Sequence, residues 1–465
     1  MKYDVVIIGA GSGGLSARRE VAKKTQNYLV VDGGTLGTTC ARVGCMPSKV
    51  LIQAAEDFHR REKFLEQGIH GAEKLSVNTS EVMKHVRKLR DRFVRGVTGD
   101  MQSWMDTNFL EGYARFKDPH TLVVGDKVIS ADKIIVATGS KPSYPPQFEN
   151  FKEFCIDTDS FFEMEELPKR WAVLGLGVIG IELGQSLHRL GLEVTGIARR
   201  RNISGITDPE VNEYVSRKLS EEMDLNFDGV KSVRKTDSGL VITLNDREIE
   251  VDKVLVTTGR KPCWESVNGQ VLGATDGIPK FNPHTFQLVE FPHIFIAGDN
   301  TGDFQILHEA SDEGKIAGYN SVNAIQSFKR RTPLMITFCD PNIAFAGKNF
   351  EQLKSEGVDF KIGQVSFEGQ GRSIVKLKEK GILRIYGENK TGKILGAEMM
   401  GPSCEHIAHL LSWVIEQELT VDKVLSFPFY HPVIEEGLRT ALRDLRSNSG
   451  VQSPPLEIFA LKEEL

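Results

Sequence analysis

Tyr3-Asp4-Val5-Val6-Ile7-Ile8-Gly9-Ala10-Gly11-Ser12-Gly13-Gly14 is the stretch whose reading decides the fold. An apolar run over residues 3–8 meets Gly9, Gly11 and Gly14 and passes into a helical pattern, which predicts a strand, a tight turn and a helix. The first glycine permits the turn, the second lets backbone approach a pyrophosphate, and the third lets the helix close on the strand. The helix N-terminus then faces the phosphates. A second apolar run, 28–31, ends in Asp32, a carboxylate placed to accept from a ribose hydroxyl. The fold class is therefore α/β, with a Rossmann-like dinucleotide-binding domain at its start.

The pattern recurs at Ala172-Val173-Leu174-Gly175-Leu176-Gly177-Val178-Ile179-Gly180, followed by a predicted helix over 181–190 and a strand over 193–197. At the place matching Asp32 stands Ala198, and Arg199-Arg200-Arg201 come next. Without the carboxylate the ribose loses its hydroxyl partner, while arginine suits a 2′-phosphate. The second site is thus expected to lean towards NADP(H) over NAD(H). A further repeat supports duplication: 129–142, ending Ala137-Thr138-Gly139-Ser140-Lys141-Pro142, echoes 249–262, ending Thr257-Thr258-Gly259-Arg260-Lys261-Pro262. Each reads as a buried strand closing its own nucleotide domain at a Thr-Gly turn. Ile294-Phe295-Ile296-Ala297-Gly298-Asp299 is a third strand, delivering Asp299 at its carboxyl end, where ligands bind in open α/β sheets.

Between the first two strands and the second copy lies Gly37-Thr38-Thr39-Cys40-Ala41-Arg42-Val43-Gly44-Cys45-Met46-Pro47-Ser48-Lys49. On an ideal helix, residues i and i+5 have Cα atoms roughly 8–9 Å apart, whereas a disulfide needs them within about 7 Å. Cys40 and Cys45 can pair only if the helix start is distorted, and Gly44 supplies backbone freedom there. A plant-type iron–sulfur run would need a cysteine where Ser48 stands, and a zinc site would need two more ligands close by. Two unrelated buried thiols remain an alternative. Beside a dinucleotide, the pair reads as a redox couple.

The chain has 465 residues, 40% of them hydrophobic and 26% charged, and carries a net charge of −5. Its length suggests several domains, and its charge gives no general attraction to nucleic acid or anionic membrane. Basic residues cluster over 81–97, where Val82, Val86, Leu89, Phe93 and Val97 form an apolar stripe, so a packed helix with a solvated basic face is expected. No apolar stretch approaches the ~20 residues that span a bilayer, and the opening Met1-Lys2-Tyr3-Asp4 runs directly into a strand, so a cytoplasmic location is expected. Six cysteines form no disulfide scaffold. Cys155, Cys263, Cys339 and Cys404 read as structural thiols.

Taken in order, these motifs resemble the pyridine nucleotide–disulfide oxidoreductases, flavoenzymes that include dihydrolipoamide dehydrogenase and glutathione reductase. The resemblance implies an FAD-binding domain in two segments, 1–142 and 263–330, an inserted NAD(P)-binding domain, 143–262, and an α+β dimerisation domain, 333–465. It implies FAD contacts from Gly9, Gly11, Gly14, Asp32, Thr39, Thr138, Gly139 and Asp299, and nicotinamide-dinucleotide contacts from Gly175, Gly177, Gly180, Arg199, Arg200 and Gly259. Cys45 would lie against the flavin, Cys40 would exchange with substrate sulfur, and Lys49 would ion-pair with Glu182 beside the flavin's reactive nitrogen. Phe427-Pro428-Phe429-Tyr430-His431-Pro432-Val433-Ile434-Glu435-Glu436 resembles the family's His-Pro segment, whose histidine (here His431) reaches the other subunit's disulfide and is oriented by a glutamate (here Glu436). A thiol needs such a base at neutral pH, and histidine can take and return the proton.

Val178 stands where glutathione reductases carry a tyrosine, and Met46-Pro47-Ser48-Lys49 leans towards the lipoamide type. Ala198, Val433 and Phe429 depart from the lipoamide pattern, and residues 447–465 lack the cysteine pair of mercuric reductases. Lys329-Arg330-Arg331 before Pro333 reads as a linker, and His406 and His409 read as part of a dimer-interface helix, with no metal site expected. The expected protein is a homodimeric NAD(P)H:disulfide oxidoreductase acting on a small thiol/disulfide, with a 2-oxoacid dehydrogenase complex as a partner. The alternatives are an NADPH-dependent, glutathione-reductase-like enzyme, a structural subunit docked to a multienzyme complex, or a flavin-bound redox sensor.

Overall fold

The computed structural model describes residues 1–274, 277–452, 454 and 456–458, so much of the stretch 447–465 lies outside the described residues. Strand Lys2–Ile8 lies at the centre of the first sheet, parallel to Tyr28–Asp32 on one side and Lys127–Val136 on the other. Phe109–Glu111 pairs outside Tyr28–Asp32, and Ile294–Ile296 joins the C-terminal half of Lys127–Val136. The N-terminal half of that long strand instead continues antiparallel into Thr121–Val124 and Arg115–Asp118. Val5, Val6, Ile7 and Ile8 are all buried, as strands covered on both faces require.

The second sheet repeats the plan. Strands Asp224–Asn226, Glu193–Ile197, Arg170–Leu174, Lys253–Val256 and Cys155–Ile156 lie side by side, all parallel. The repeat is imperfect at one point. Lys127–Val136 runs unbroken through Asp132, whereas its counterpart divides at Asp252 into Glu248–Val251 and Lys253–Val256. The Asp252 carboxylate there accepts the Arg170 backbone N–H at 2.8 Å and its guanidinium at 2.6 Å, and Glu248–Val251 joins a separate antiparallel sheet. The two copies are joined by a ribbon in which Ser140–Pro142 pairs antiparallel with Arg260–Pro262.

A third, antiparallel sheet runs in the order Leu334–Thr337, Asn342–Gly347, Ile394–Gly401, Ile382–Glu388, Phe360–Ser366. Helices Cys404–Glu416 and Glu436–Asn448 pack on it. It is locked to the second sheet's helix Pro209–Ser220 by a buried polar cluster. Tyr386 Oη lies 2.9 Å from both Asp208 and Glu398, and Arg384 donates to Asp208 at 2.9 Å. Glu398 also accepts backbone N–H groups of Asp208 and Phe350, so this buried charge is fully hydrogen-bonded, as burial demands.

One expectation needs correction. The helix is longer than the basic run, Thr79–Asn108, and Arg90 does not join the solvated face: it is buried and paired with Asp91 and Glu163. The segment read as a linker has no regular secondary structure, and Arg330 ties it down. Its guanidinium reaches Asp303, Glu309 and Glu313, drawing the 329–333 segment against the helix Leu307–Val322. In the tail, Glu457 is gripped by Arg439, Arg443 and Arg446, which hold its carboxyl down at about 2, chiefly through the Arg443 hydrogen bond. Among the described residues, no helix is long and apolar enough to cross a membrane.

Candidate active site

The two glycine sets have the same local geometry. Gly9 and Gly175 sit at φ +107° and +94°, a region open to glycine. A Cβ on Gly14 would fall 1.9 Å from the Gly9 carbonyl oxygen, and one on Gly180 would fall 1.9 Å from that of Gly175. A Cβ on Gly11 or Gly177, by contrast, would meet nothing within 4 Å. The third glycine of each set therefore closes helix on turn, while the middle one leaves free space before a helix N-terminus.

Asp32 accepts the Ala10 N–H at 2.6 Å on one oxygen and the Gly34 N–H at 2.7 Å on the other. A carboxylate has about four acceptor sites, so both oxygens can still accept from a ligand. Thr138 shares hydrogen bonds with the buried Asn300 amide, beside Asp299. Gly139, at φ +70°, passes its carbonyl to the Cys263 N–H, and Asp299 accepts from Ser140. Gly259, at φ +103°, lies exposed at the matching turn. Arg199 and Arg200 are exposed after Ala198 and make no ion pair among the described residues. Thr39 is exposed in the first turn of the helix Thr39–Val43.

That short helix ends at Gly44, and a new one, Cys45–His59, begins at once. The break is the distortion the cysteine spacing requires. It also brings backbone close: a Cβ on Gly44 would sit 3.1 Å from the Thr39 carbonyl oxygen and 3.3 Å from the Cys40 Cα. Thr38, at φ +62° and ψ 149°, enters the first helix in a region threonine rarely adopts, and its side chain caps the Ala41 N–H at 3.3 Å. Nothing in the sequence signalled that strain.

Cys40 and Cys45 are separate thiols in this structure, near enough that each shifts the other's titration. Cys45 is lowered to about 7, first by the hydrogen bond from Cys40 and then by the Lys49 charge, against the opposing effect of burial. Cys40 is raised, first because it donates that bond and second by burial. Lys49 Nζ lies 2.9 and 2.8 Å from the two oxygens of Glu182, which is only 4% exposed. Phe338, just past the strand Leu334–Thr337, completes this pair: its N–H donates to Glu182 at 2.9 Å and its ring lies 4.7 Å from Lys49 Nζ. Sequence reading missed Phe338, because only the folded chain brings it to Glu182.

His431 Nδ1 lies 3.0 and 3.1 Å from the Glu436 oxygens, and Val433 donates its N–H to the same carboxylate at 3.1 Å. The His431 hydrogen bond, helped by that of Val433, holds Glu436 below the usual carboxylate range. The imidazole is 81% exposed, and within the chain it bonds to neither cysteine among the described residues. Such a pair can hold an imidazole in one orientation with its Nε2 facing outward. The helix carrying His406 and His409 exposes Trp413 and Leu410 as well.

Two glycine-turn folds of one plan, the second inserted within the first, and a pair of thiols at adjoining helix starts are the parts of an oxidoreductase that uses two nucleotides. The comparison with known proteins agrees. Residues 3–314 match the pyridine nucleotide-disulphide oxidoreductase family and residues 334–442 its dimerisation domain, and the chain belongs to that family. Mercuric reductase of Lysinibacillus sphaericus is 30% identical over 455 residues, 94% of this chain and 82% of that protein. Dihydrolipoyl dehydrogenase of Thermus scotoductus is 29% identical over 462 residues, 96% of this chain and 98% of that protein. The HOCl-induced flavoprotein disulfide reductase RclA of Escherichia coli, solved as a Cu(II) complex, superposes with a TM-score of 0.82 at 20% identity, over 96% of this chain and 99% of that one. It shares the fold.

The family binds FAD and a pyridine nucleotide. The residues present fit both: the open space over Gly11 and over Gly177 lies before two helix N-termini, which favour phosphate.

Proposed function

We propose that the chain is an FAD-dependent NAD(P)H:disulfide oxidoreductase resembling dihydrolipoyl dehydrogenase, acting on a small thiol/disulfide as a cytoplasmic homodimer. The observation that carries this reading is the break at Gly44, which brings the backbone beside Cys45 close to Cys40, with Cys45 the readier thiolate of the two. FAD would be held by Gly9, Gly11, Gly14, Asp32, Thr39, Thr138, Gly139 and Asp299 in segments 1–142 and 263–330, and would supply the two-electron link between nicotinamide and disulfide. The pyridine nucleotide would be held by Gly175, Gly177, Gly180 and Gly259 within 143–262. Arg199 and Arg200, unpaired beside Ala198, favour NADP(H).

In the reduced enzyme, Cys40 gives its proton to His431 of the partner subunit, and its sulfur attacks one sulfur of the substrate disulfide. That bond breaks, a mixed disulfide forms, and the leaving sulfur takes the proton back as a thiol. The Cys45 thiolate then attacks the Cys40 sulfur: the Cys40–Cys45 bond forms and the second substrate sulfur leaves as thiolate. One substrate disulfide is reduced to a thiol and a thiolate, and the Cys40–Cys45 thiol–thiolate pair is oxidised to a disulfide. Glu436 keeps the imidazole oriented, and Lys49 stabilises the Cys45 thiolate. Run in reverse, the steps oxidise a dithiol such as dihydrolipoamide, the role that would suit a 2-oxoacid dehydrogenase complex.

The exposed arginines favour one second reading, an NADPH-dependent reductase of another small disulfide. The experiment is anaerobic titration of the yellow protein with NADH and separately NADPH, then addition of lipoamide. A long-wavelength thiolate band that forms with NADPH and vanishes with lipoamide is the expected result. A band that forms but persists with lipoamide favours the second reading, and no band with either nucleotide refutes both.

A further inference from the structure

Asp299 follows the strand Ile294–Ile296, and its carboxylate is held on one side only. Ser140 Oγ donates to Asp299 Oδ2, while Oδ1 takes no hydrogen bond among the described residues. The same Ser140 oxygen lies 2.8 Å from Arg260 Nε. Arg260 also donates from its terminal nitrogens to the Ser140 carbonyl at 2.8 Å and to Thr158 Oγ1 at 3.2 Å. A guanidinium is always a donor and a serine hydroxyl has one proton. The direction of the relay is therefore fixed: Arg260 N–H to Ser140 oxygen, Ser140 O–H to Asp299.

We propose that Arg260 is a positioning residue for the flavin site. Acting through Ser140, it turns Asp299 so that Oδ1 stays free for a polyol hydroxyl of the flavin's side chain. Arg260 also follows Gly259, the turn that closes the nucleotide-binding repeat, and its strand Arg260–Pro262 pairs with Ser140–Pro142. Flavin affinity is thereby tied to the ribbon that joins the two dinucleotide folds. The inference rests on the flavin reading given above.

The test is FAD binding to apoprotein, followed by quenching of flavin fluorescence, for the unaltered chain, Arg260→Met, Ser140→Ala, the double variant and Lys141→Met. Lys141 lies in the same ribbon but pairs outward with Glu265. Loss of one charge-assisted link predicts about a tenfold weaker Kd in each single variant. Because both act on one relay, the double variant falls within about twofold of the weaker single. Lys141→Met binds as the unaltered chain does. Arg260→Lys, unable to form the fork, does not rescue.

Losses that multiply in the double variant, or unaltered affinity in either single, overturn the relay. If Arg260→Met does not fold, Ser140→Ala decides alone, and full affinity there refutes the inference. An unaltered chain that binds no FAD refutes the flavin reading, and this inference with it.

Discussion

Alanine at Gly11 and alanine at Gly14 are expected to fail in opposite ways, although the two lie within one turn of chain. At Gly14 the new Cβ would stand 1.9 Å from the Gly9 carbonyl oxygen and 3.0 Å from its carbon. Both partners are backbone, so relief requires the helix Ser12–Val21 to withdraw from its turn by more than an ångström. Overpacking of this kind costs about 1–3 kcal/mol or more, which corresponds to a fall in melting temperature of about 2–4 °C per kcal/mol for a domain of 150–250 residues. At Gly11 the Cβ meets nothing within 4 Å, and an alanine helix cap costs only about 1 kcal/mol or less relative to glycine. What Gly11→Ala removes is the space before the helix N-terminus. The apoprotein should melt close to the unaltered protein, yet bind FAD at least about tenfold more weakly. The second copy provides an internal control: Gly180→Ala destabilises, while Gly177→Ala weakens the pyridine nucleotide and leaves FAD binding intact. Circular dichroism melts and calorimetric titration measure both. A Gly11→Ala apoprotein that melts as early as Gly14→Ala, or that binds FAD normally, refutes the assignment of open and closed glycines.

The remaining predictions concern the thiols and the nucleotide. Lys49→Met raises the alkylation midpoint of Cys45 from about 7 by about one pH unit, so thiolate at neutral pH falls; Glu182→Gln shifts it the other way, because Glu182 opposes the thiolate. Cys40→Ser abolishes disulfide turnover while the protein stays yellow, and retained lipoamide turnover would refute its role. Glu436→Gln lowers turnover of the disulfide by about tenfold or more while leaving flavin reduction unchanged in stopped flow. Since Glu436 is held below the usual carboxylate range, its pairing with His431 is present above that range and is lost as pH falls through the lowered value. Replacing Arg199 and Arg200 by alanine raises KM for NADPH well above any change for NADH, and equal effects on both would refute the 2′-phosphate reading.

The sequence made the glycine sets, both nucleotide sheets and the need for a break at Gly44 legible, because these follow from backbone sterics at fixed spacing. Asp32 was legible as an acceptor, but not that Ala10 and Gly34 hold it in place. Phe338 was invisible for a different reason. It reaches Glu182 through its backbone N–H, a group every residue but proline has, so no side-chain pattern marks it. Arg90 misled because its charge run read as a solvent-facing surface, whereas Glu163, far along the chain, draws it inward. Thr38 carries its strain in a backbone angle that only the folded helix start imposes.

The two repeats do more than resemble each other; they meet. In the ribbon Ser140–Pro142 against Arg260–Pro262, Lys141 pairs with Lys261, Ser140 with Pro262 and Pro142 with Arg260. The two copies thus cross about a local pseudo-twofold centre at the lysines: Lys141 faces its own equivalent, and the first position of each copy faces the third of the other. A duplicated strand pairing with its own copy would serve both halves equally if their side chains matched. They do not: the residue after the first Thr-Gly turn is Ser140 and the residue after the second is Arg260. The small hydroxyl fits between Asp299 and the guanidinium, while the guanidinium spans from Ser140 to Thr158. A second mismatch sets Asp32 of the first copy against Ala198 of the second, at the positions read from the sequence as ribose-facing. Backbone geometry common to both copies sets where two dinucleotides can lie, and these few unmatched side chains make the two sites chemically different.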